Sequence, residues 1–123
     1  MKQEEKRANL LVIDDDPVFR NMLIMEGGRR GYKIVACGSL KELQNMPHPR
    51  NFDVAVIDYF LDGIQEQLNG VDVALALEGT RIVLTSGSSF GVETNQAWPQ
   101  SIRRFVLKSK GPRAIIDAAS SLA

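Results

Sequence analysis

The chain has 123 residues, enough for one domain with one sizeable core, and its 44% hydrophobic and 24% charged content is that of an ordinary globular protein. Fifteen basic residues balance fifteen acidic ones, which leaves no overall positive field to favour nucleic acid or an anionic membrane. No apolar run approaches the roughly 20 residues needed to cross a bilayer, and Cys37, the only cysteine, can form neither an internal disulfide nor a thiolate metal cage.

Residues 1–8 are polar and read as a frayed tail ahead of a domain over residues 9–123. No apolar segment with a small-residue cleavage site follows the charged start, so the expected location is the cytoplasm. Leu10, Leu11, Val12 and Ile13 then form a short branched apolar run halted by Asp14-Asp15-Asp16-Pro17, the pattern of a strand buried on both faces. Asp16 is a good N-cap and Pro17 suits a first helical turn, so a helix is expected to about residue 30. Phe19, Met22 and Leu23 mark its faces and Gly31 closes it.

A second strand is expected over residues 32–37, and Ser39 caps a short helix over 40–45 that Pro47-His48-Pro49 terminates. The third apolar run, Val54 to Ile57, ends in Asp58 and gives way to a loop containing Gly63 and Asn69-Gly70. A helix follows over 71–77, stopped near Gly79, and then a strand over 82–85 that ends in Ser86-Gly87. Residues 88–101 carry weak helical periodicity and a proline, so a helix there should be short or irregular. A fifth strand over 104–107 ends at Lys108, and Pro112 opens a last helix through Ile115, Ile116 and Ala119.

Strands alternating with helices predict an α/β fold: a doubly wound, five-stranded parallel sheet of flavodoxin-like order 2-1-3-4-5, with helices on both faces. In that order the carboxyl ends of strands 1, 3, 4 and 5 are neighbours, and ligands of open α/β sheets gather there. Those ends carry Asp14 and Asp15, Asp58, Ser86, and Lys108. Three carboxylates brought together repel one another unless a cation neutralises them, and Mg²⁺ takes one or two carboxylates plus a phosphate oxygen. Asp15 and Asp58 are expected to bind it directly and Asp14 through water. A phosphoryl group could then be held between the cation and the Lys108 ammonium, with Asp58 as the nucleophile and the Ser86 hydroxyl as a donor.

Leu-Val-Ile-Asp-Asp-Asp-Pro, Asp-Val-Ala-Val-Ile-Asp-Tyr, Leu-Thr-Ser-Gly and Arg-Phe-Val-Leu-Lys-Ser together resemble the signatures of two-component response-regulator receiver domains, over nearly the whole chain. The resemblance implies that Asp58 is the phosphoacceptor, Asp14 and Asp15 the acidic pair, and the Phe60 backbone carbonyl a further metal ligand. Lys108 would be the site lysine and Phe105 the aromatic that changes rotamer as a switch hydroxyl moves. That hydroxyl belongs to Ser86 or Thr85; Ser86 is preferred because the small Gly87 follows it. The implied cofactor is Mg²⁺. The implied partners are a histidine kinase or histidine phosphotransfer protein and a downstream protein target, with self-dephosphorylation at most slow. Two departures stand out: Ser109 where the family usually has proline, and a longer loop after Asp58.

Other residues invite less. His48 lies in extended Pro-His-Pro, unlike a phosphohistidine donor on a helix face, and Cys37 at a strand end reads as packing. Trp98 is either a partner contact or a lid on the core. Two alternatives compete with the switch: a receiver-like interaction module independent of phosphorylation, and a metal-dependent phosphohydrolase. The second usually places another acid two residues after its nucleophilic Asp, where this chain has Phe60.

Overall fold

A computed structural model describes residues 8–59, 69–88 and 98–123. Five strands, β1 (Asn9–Ile13), β2 (Lys33–Cys37), β3 (Val54–Asp58), β4 (Arg81–Ser86) and β5 (Ile102–Leu107), form one parallel sheet in the order β2-β1-β3-β4-β5. This is the doubly wound order that the alternation of elements predicts. The flanking helices are α1 (Pro17–Arg29), α2 (Leu40–Gln44), α3 (Gly70–Leu75) and α4 (Pro112–Leu122), with a short 3-10 turn at Lys108–Lys110. The short or irregular helix expected between β4 and β5 falls mainly on residues 89–97, outside the described residues, as do most of the tail and the loop over 60–68.

The core lies in two apolar layers, one on each side of the sheet. Alternation along each strand assigns residues to one or the other. Leu11, Ile13, Ala55, Ile57, Ile82 and Leu84 pack with Leu43 of α2 and Val73 and Ala74 of α3. Leu10, Val12, Val54, Val56 and Val83 pack with Leu23 of α1 and Ile115, Ile116 and Ala119 of α4. A central parallel strand thus buries both faces, which is why β3 is buried at every position, Asp58 included.

Local signals set the helix ends. The Asp16 side chain accepts from Val18 N and Phe19 N, with Pro17 in the first turn. The same helix ends one residue before the expected boundary, at Arg29, and Gly31 follows with φ +89°. Tyr32 is not yet in β2; its N–H still bonds the Gly27 carbonyl at the helix end. Gly27 itself faces the sheet, where a Cβ would stand 2.9 Å from Ile34 Cδ1 and 3.0 Å from Leu10 Cδ2. Ser39 caps α2, and Asn69 caps α3 in a reciprocal box with Asp72.

β5 starts at Ile102, two residues ahead of the expected start at Arg104, and a bulge accounts for the difference. Ile82 pairs with Ile102 but Val83 with Arg104, so Arg103 is the extra residue on the edge strand. Ile102 and Phe105, an odd number of residues apart, both pack against the same apolar layer. A regular strand would send them to opposite faces.

Candidate functional site

β1 delivers Asp14 and Asp15 to one end of the sheet. The Asp14 N–H extends the ladder by donating to the Cys37 carbonyl at 3.0 Å, and the Asp14 carbonyl accepts from Arg20 Nη1 at 2.8 Å. Its Oδ1 accepts the Asp16 N–H at 2.9 Å, which fixes the carboxylate's direction. β3 ends beside it with Asp58, 5% exposed, while Asp14 is 1% exposed and Asp15 intermediate. One carboxylate oxygen from each of Asp14, Asp15 and Asp58 lies within 4.8 Å of the others.

Lys108 approaches from the far edge of the sheet. β5 ends at Leu107, and the 3-10 turn begins with Lys108 before Gly111 (φ +95°) redirects the chain into α4. Lys108 Nζ stands 2.9 Å from Asp14 Oδ2 and 3.2 Å from Asp58 Oδ2, and 4.8 Å from the centre of the Phe19 ring. The side chain retains 17% exposure. Burial, the largest influence, works against the charged amine. The Asp14 contact and the Asp58 charge overcome it and hold the Lys108 pKa above the usual lysine value.

Asp14 Oδ2 is buried and, among the described residues, receives no aligned hydrogen bond. Its contact with Lys108 is an ion pair by distance rather than a well-directed hydrogen bond. A buried anionic oxygen in that condition, gathered with two more carboxylates, suits a hard cation with oxygen ligands. The donor set of Asp14, Asp15 and Asp58 therefore fits Mg²⁺. The Phe60 carbonyl, implied as a further ligand, lies outside the described residues.

The two candidate hydroxyls separate clearly in position. Thr85 is the register partner of Asp58, fully buried, with Oγ1 donating to the Ile57 carbonyl at 3.5 Å. Two residues back along both strands, Val56 and Val83 face the same apolar layer, so Asp58 and Thr85 face the same side of the sheet. Ser86 has the other parity, shared with Leu84 and Ile57. Its Oγ donates to the Ser88 carbonyl at 2.6 Å and accepts the Ser88 N–H at 3.2 Å, a turn closed on itself.

Phe105 pairs with Leu84 and lies against Trp98, ring centres 6.2 Å apart and planes at 59°. Trp98 is half-buried on the first apolar layer, as a lid on the core would be. His48 stacks on Phe52, ring centres 5.9 Å apart, with Nδ1 2.7 Å from the Pro49 carbonyl; Phe52 precedes β3, at the strand end opposite Asp58. Cys37 is buried and packed, and burial pushes its thiol up to about 11. Phe19 is the residue at this end that periodicity reads only as marking a helix face. No local pattern marks a contact made by a chain segment almost ninety residues later.

No model of a protein family matches the chain, and no curated protein matches it. Solved structures do. The response regulator TrrA from Thermotoga maritima, in complex with Mg²⁺–BeF, is similar at TM-score 0.73 and 21% identity, over 94% of this chain and 99% of that one. A CheY-like response-regulator receiver domain protein from Methanospirillum hungatei gives TM-score 0.71 and 14% identity, over 94% and 93%. A response regulator from Burkholderia pseudomallei, with a phosphorylated aspartic acid, calcium ion and citrate, gives TM-score 0.66 and 21% identity over 91% of this chain. This chain spans 66% of that relative's length, just under two thirds. At these identities the likeness is one of fold, and the chain has the receiver-domain, CheY-like fold.

Proposed function

We propose that the chain is a phosphoacceptor signalling switch, in which residues 9–123 form the switch domain and residues 1–8 a tail. Asp58 takes a phosphoryl group from a phosphohistidine on a kinase or phosphotransfer protein. An Asp58 carboxylate oxygen attacks phosphorus, the new O–P bond forms as the N–P bond breaks, and the imidazole leaves with the electron pair. The observation that carries this reading is the seating of one ammonium, Lys108, within 3.2 Å of both Asp14 and Asp58 in a cluster able to share a cation. Mg²⁺ held by Asp14, Asp15, Asp58 and the Phe60 carbonyl would supply charge neutralisation for the incoming phosphoryl oxygens. Lys108 would hold another of those oxygens. The solved relatives with a phosphorylated aspartate, or with Mg²⁺–BeF, support the same chemistry on this fold.

For the switch hydroxyl, register now favours Thr85 over Ser86. Thr85 stands beside Asp58 on its own face, while the Ser86 hydroxyl is engaged with Ser88. Phe105, which pairs with Leu84 on the other apolar layer, is the aromatic that the family resemblance assigns to the switch; its response would shift a two-state equilibrium that alters binding of a downstream protein.

Intact protein incubated with phosphoramidate or acetyl phosphate and Mg²⁺ should gain one phosphoryl group by mass, and Asp58→Asn should gain none. A well-folded wild-type chain that stays unmodified refutes the proposal and leaves the non-phosphorylated interaction module. Sustained turnover of a generic phosphate ester would instead favour the hydrolase, since a switch should release phosphate slowly. Thr85→Ala should keep the mass shift but lose the conformational response, with Ser86→Ala close to wild type.

A further inference from the structure

We infer that Phe19 is a positioning residue: its ring face is the third wall of the seat that holds the Lys108 ammonium between Asp14 and Asp58. The inference rests on the phosphoacceptor reading for its consequence, but the seat itself is a property of the unmodified chain. Among the described residues the Lys108 ammonium has electron-rich neighbours on three sides: Asp14 Oδ2 at 2.9 Å, Asp58 Oδ2 at 3.2 Å and the Phe19 ring centre at 4.8 Å. The ring's negative face attracts a cation at that distance. A fourth feature fixes the ring in turn. Phe19 sits in the first turn of α1, its N–H faces the Asp16 cap, and its side chain packs against the second apolar layer. One short segment therefore carries Asp14 and the wall that keeps its counter-ion in place, while Asp58 comes from the end of β3.

The consequence follows from the lysine stem. Four flexible methylenes give Lys108 many rotamers, and the ion pairs alone must select one. A π wall restricts that choice, so the amine stays close to Asp58 and to whatever anion Asp58 acquires. The same restriction has a cost for a divalent cation, because Lys108 and the cation compete for Asp14 and Asp58. Weakening the seat should thus affect the two ligands in opposite directions. Phe19→Leu keeps an apolar side chain but removes the face; Phe19→Tyr keeps the face, with the hydroxyl able to reach solvent from a half-buried position.

The test is an NMR measurement of the Lys108 ε-methylene protons, followed by titrations with Mg²⁺ alone and with beryllofluoride in saturating Mg²⁺. Wild type and Phe19→Tyr should show ring-current upfield shifts that Phe19→Leu loses. Phe19→Leu should weaken beryllofluoride binding about three- to tenfold, the scale of a partly desolvated cation–π contact, while Mg²⁺ binding stays equal or tightens. Phe19→Tyr should behave as wild type in both titrations. Absence of the upfield shift in wild type overturns the seat. So does a parallel loss of both ligands in Phe19→Leu, which is what a merely structural role would give. If the upfield shift is present but wild type takes no phosphoryl group from phosphoramidate, the seat stands and the phosphoacceptor reading falls.

Discussion

Two titratable side chains near the sheet's carboxyl end, the buried Cys37 and the partly exposed Lys108, both hold their protons more tightly than usual. Burial pushes the Cys37 thiol from 9.0 up to about 11, so the unfolded chain ionises first as pH rises. Lys108, raised above 10.5, likewise contributes stability that is complete below its unfolded value and lost as pH climbs through the folded one. Both therefore act in one direction. The thermal midpoint should decline between about pH 9 and 11, and Cys37→Ala should flatten that decline. At pH 8 a disulfide reagent should modify native Cys37 at least about a hundredfold more slowly than a free thiol, because little thiolate is present and the sulfur is covered. Lys108→Ala removes an ammonium from beside two buried carboxylates. It should cost about 1–3 kcal/mol without metal, less than a fully enclosed pair because the amine keeps some exposure, and Mg²⁺ should recover much of that loss in a melt.

At the level of elements, the short helix α3 is held to the end of β3 by close contact. The Gly70 N–H donates to the Tyr59 carbonyl at 2.8 Å. A Cβ on Gly70 would lie 2.8 Å from the Asp58 carbonyl oxygen and 2.9 Å from Tyr59 Cα, and backbone atoms cannot yield as a side-chain tip can. Gly70→Ala should cost about 1–3 kcal/mol in urea denaturation and, by displacing the strand end, slow phosphoryl acceptance at Asp58. Asn69→Ala loses the cap to Val71 N and Asp72 N and should cost about 1 kcal/mol with the acceptor chemistry intact. Comparing the two separates loss of helix stability from displacement of Asp58. The bulge at Arg103 is a device of the same kind on β5: it brings Ile102 and Phe105 to one face. On the edge strand, the exposed Arg103 and Arg104 also discourage pairing with a further strand.

For the molecule as a whole, a single sheet sandwiched between two apolar layers should unfold as one unit, because every central strand contributes to both. Val56→Ala and Ile57→Ala probe opposite layers from adjacent positions. Ile57→Ala should cost about 2–5 kcal/mol and Val56→Ala somewhat less, each shifting one cooperative transition rather than splitting it. Two transitions in either variant would mean that the layers are separable. Among the described residues no helix is long and apolar enough to cross a membrane.

Period and punctuation in the chain were enough to determine the order of elements and the sheet topology. They also placed carboxylates at the ends of β1 and β3 and Lys108 at the end of β5. Apolar runs stopped by charge report burial and its limit, and these are local properties. The tertiary structure alone decided what depends on register. A single-residue bulge fixes which way β5 turns, pairing across β3 and β4 puts Thr85 rather than Ser86 on the side of Asp58, and folding brings Lys108 to Asp58 over 50 residues and to the ring of Phe19. Faces of a strand alternate with a period of two, so one residue of slip reverses them, and nothing within a single strand records the slip of its neighbour.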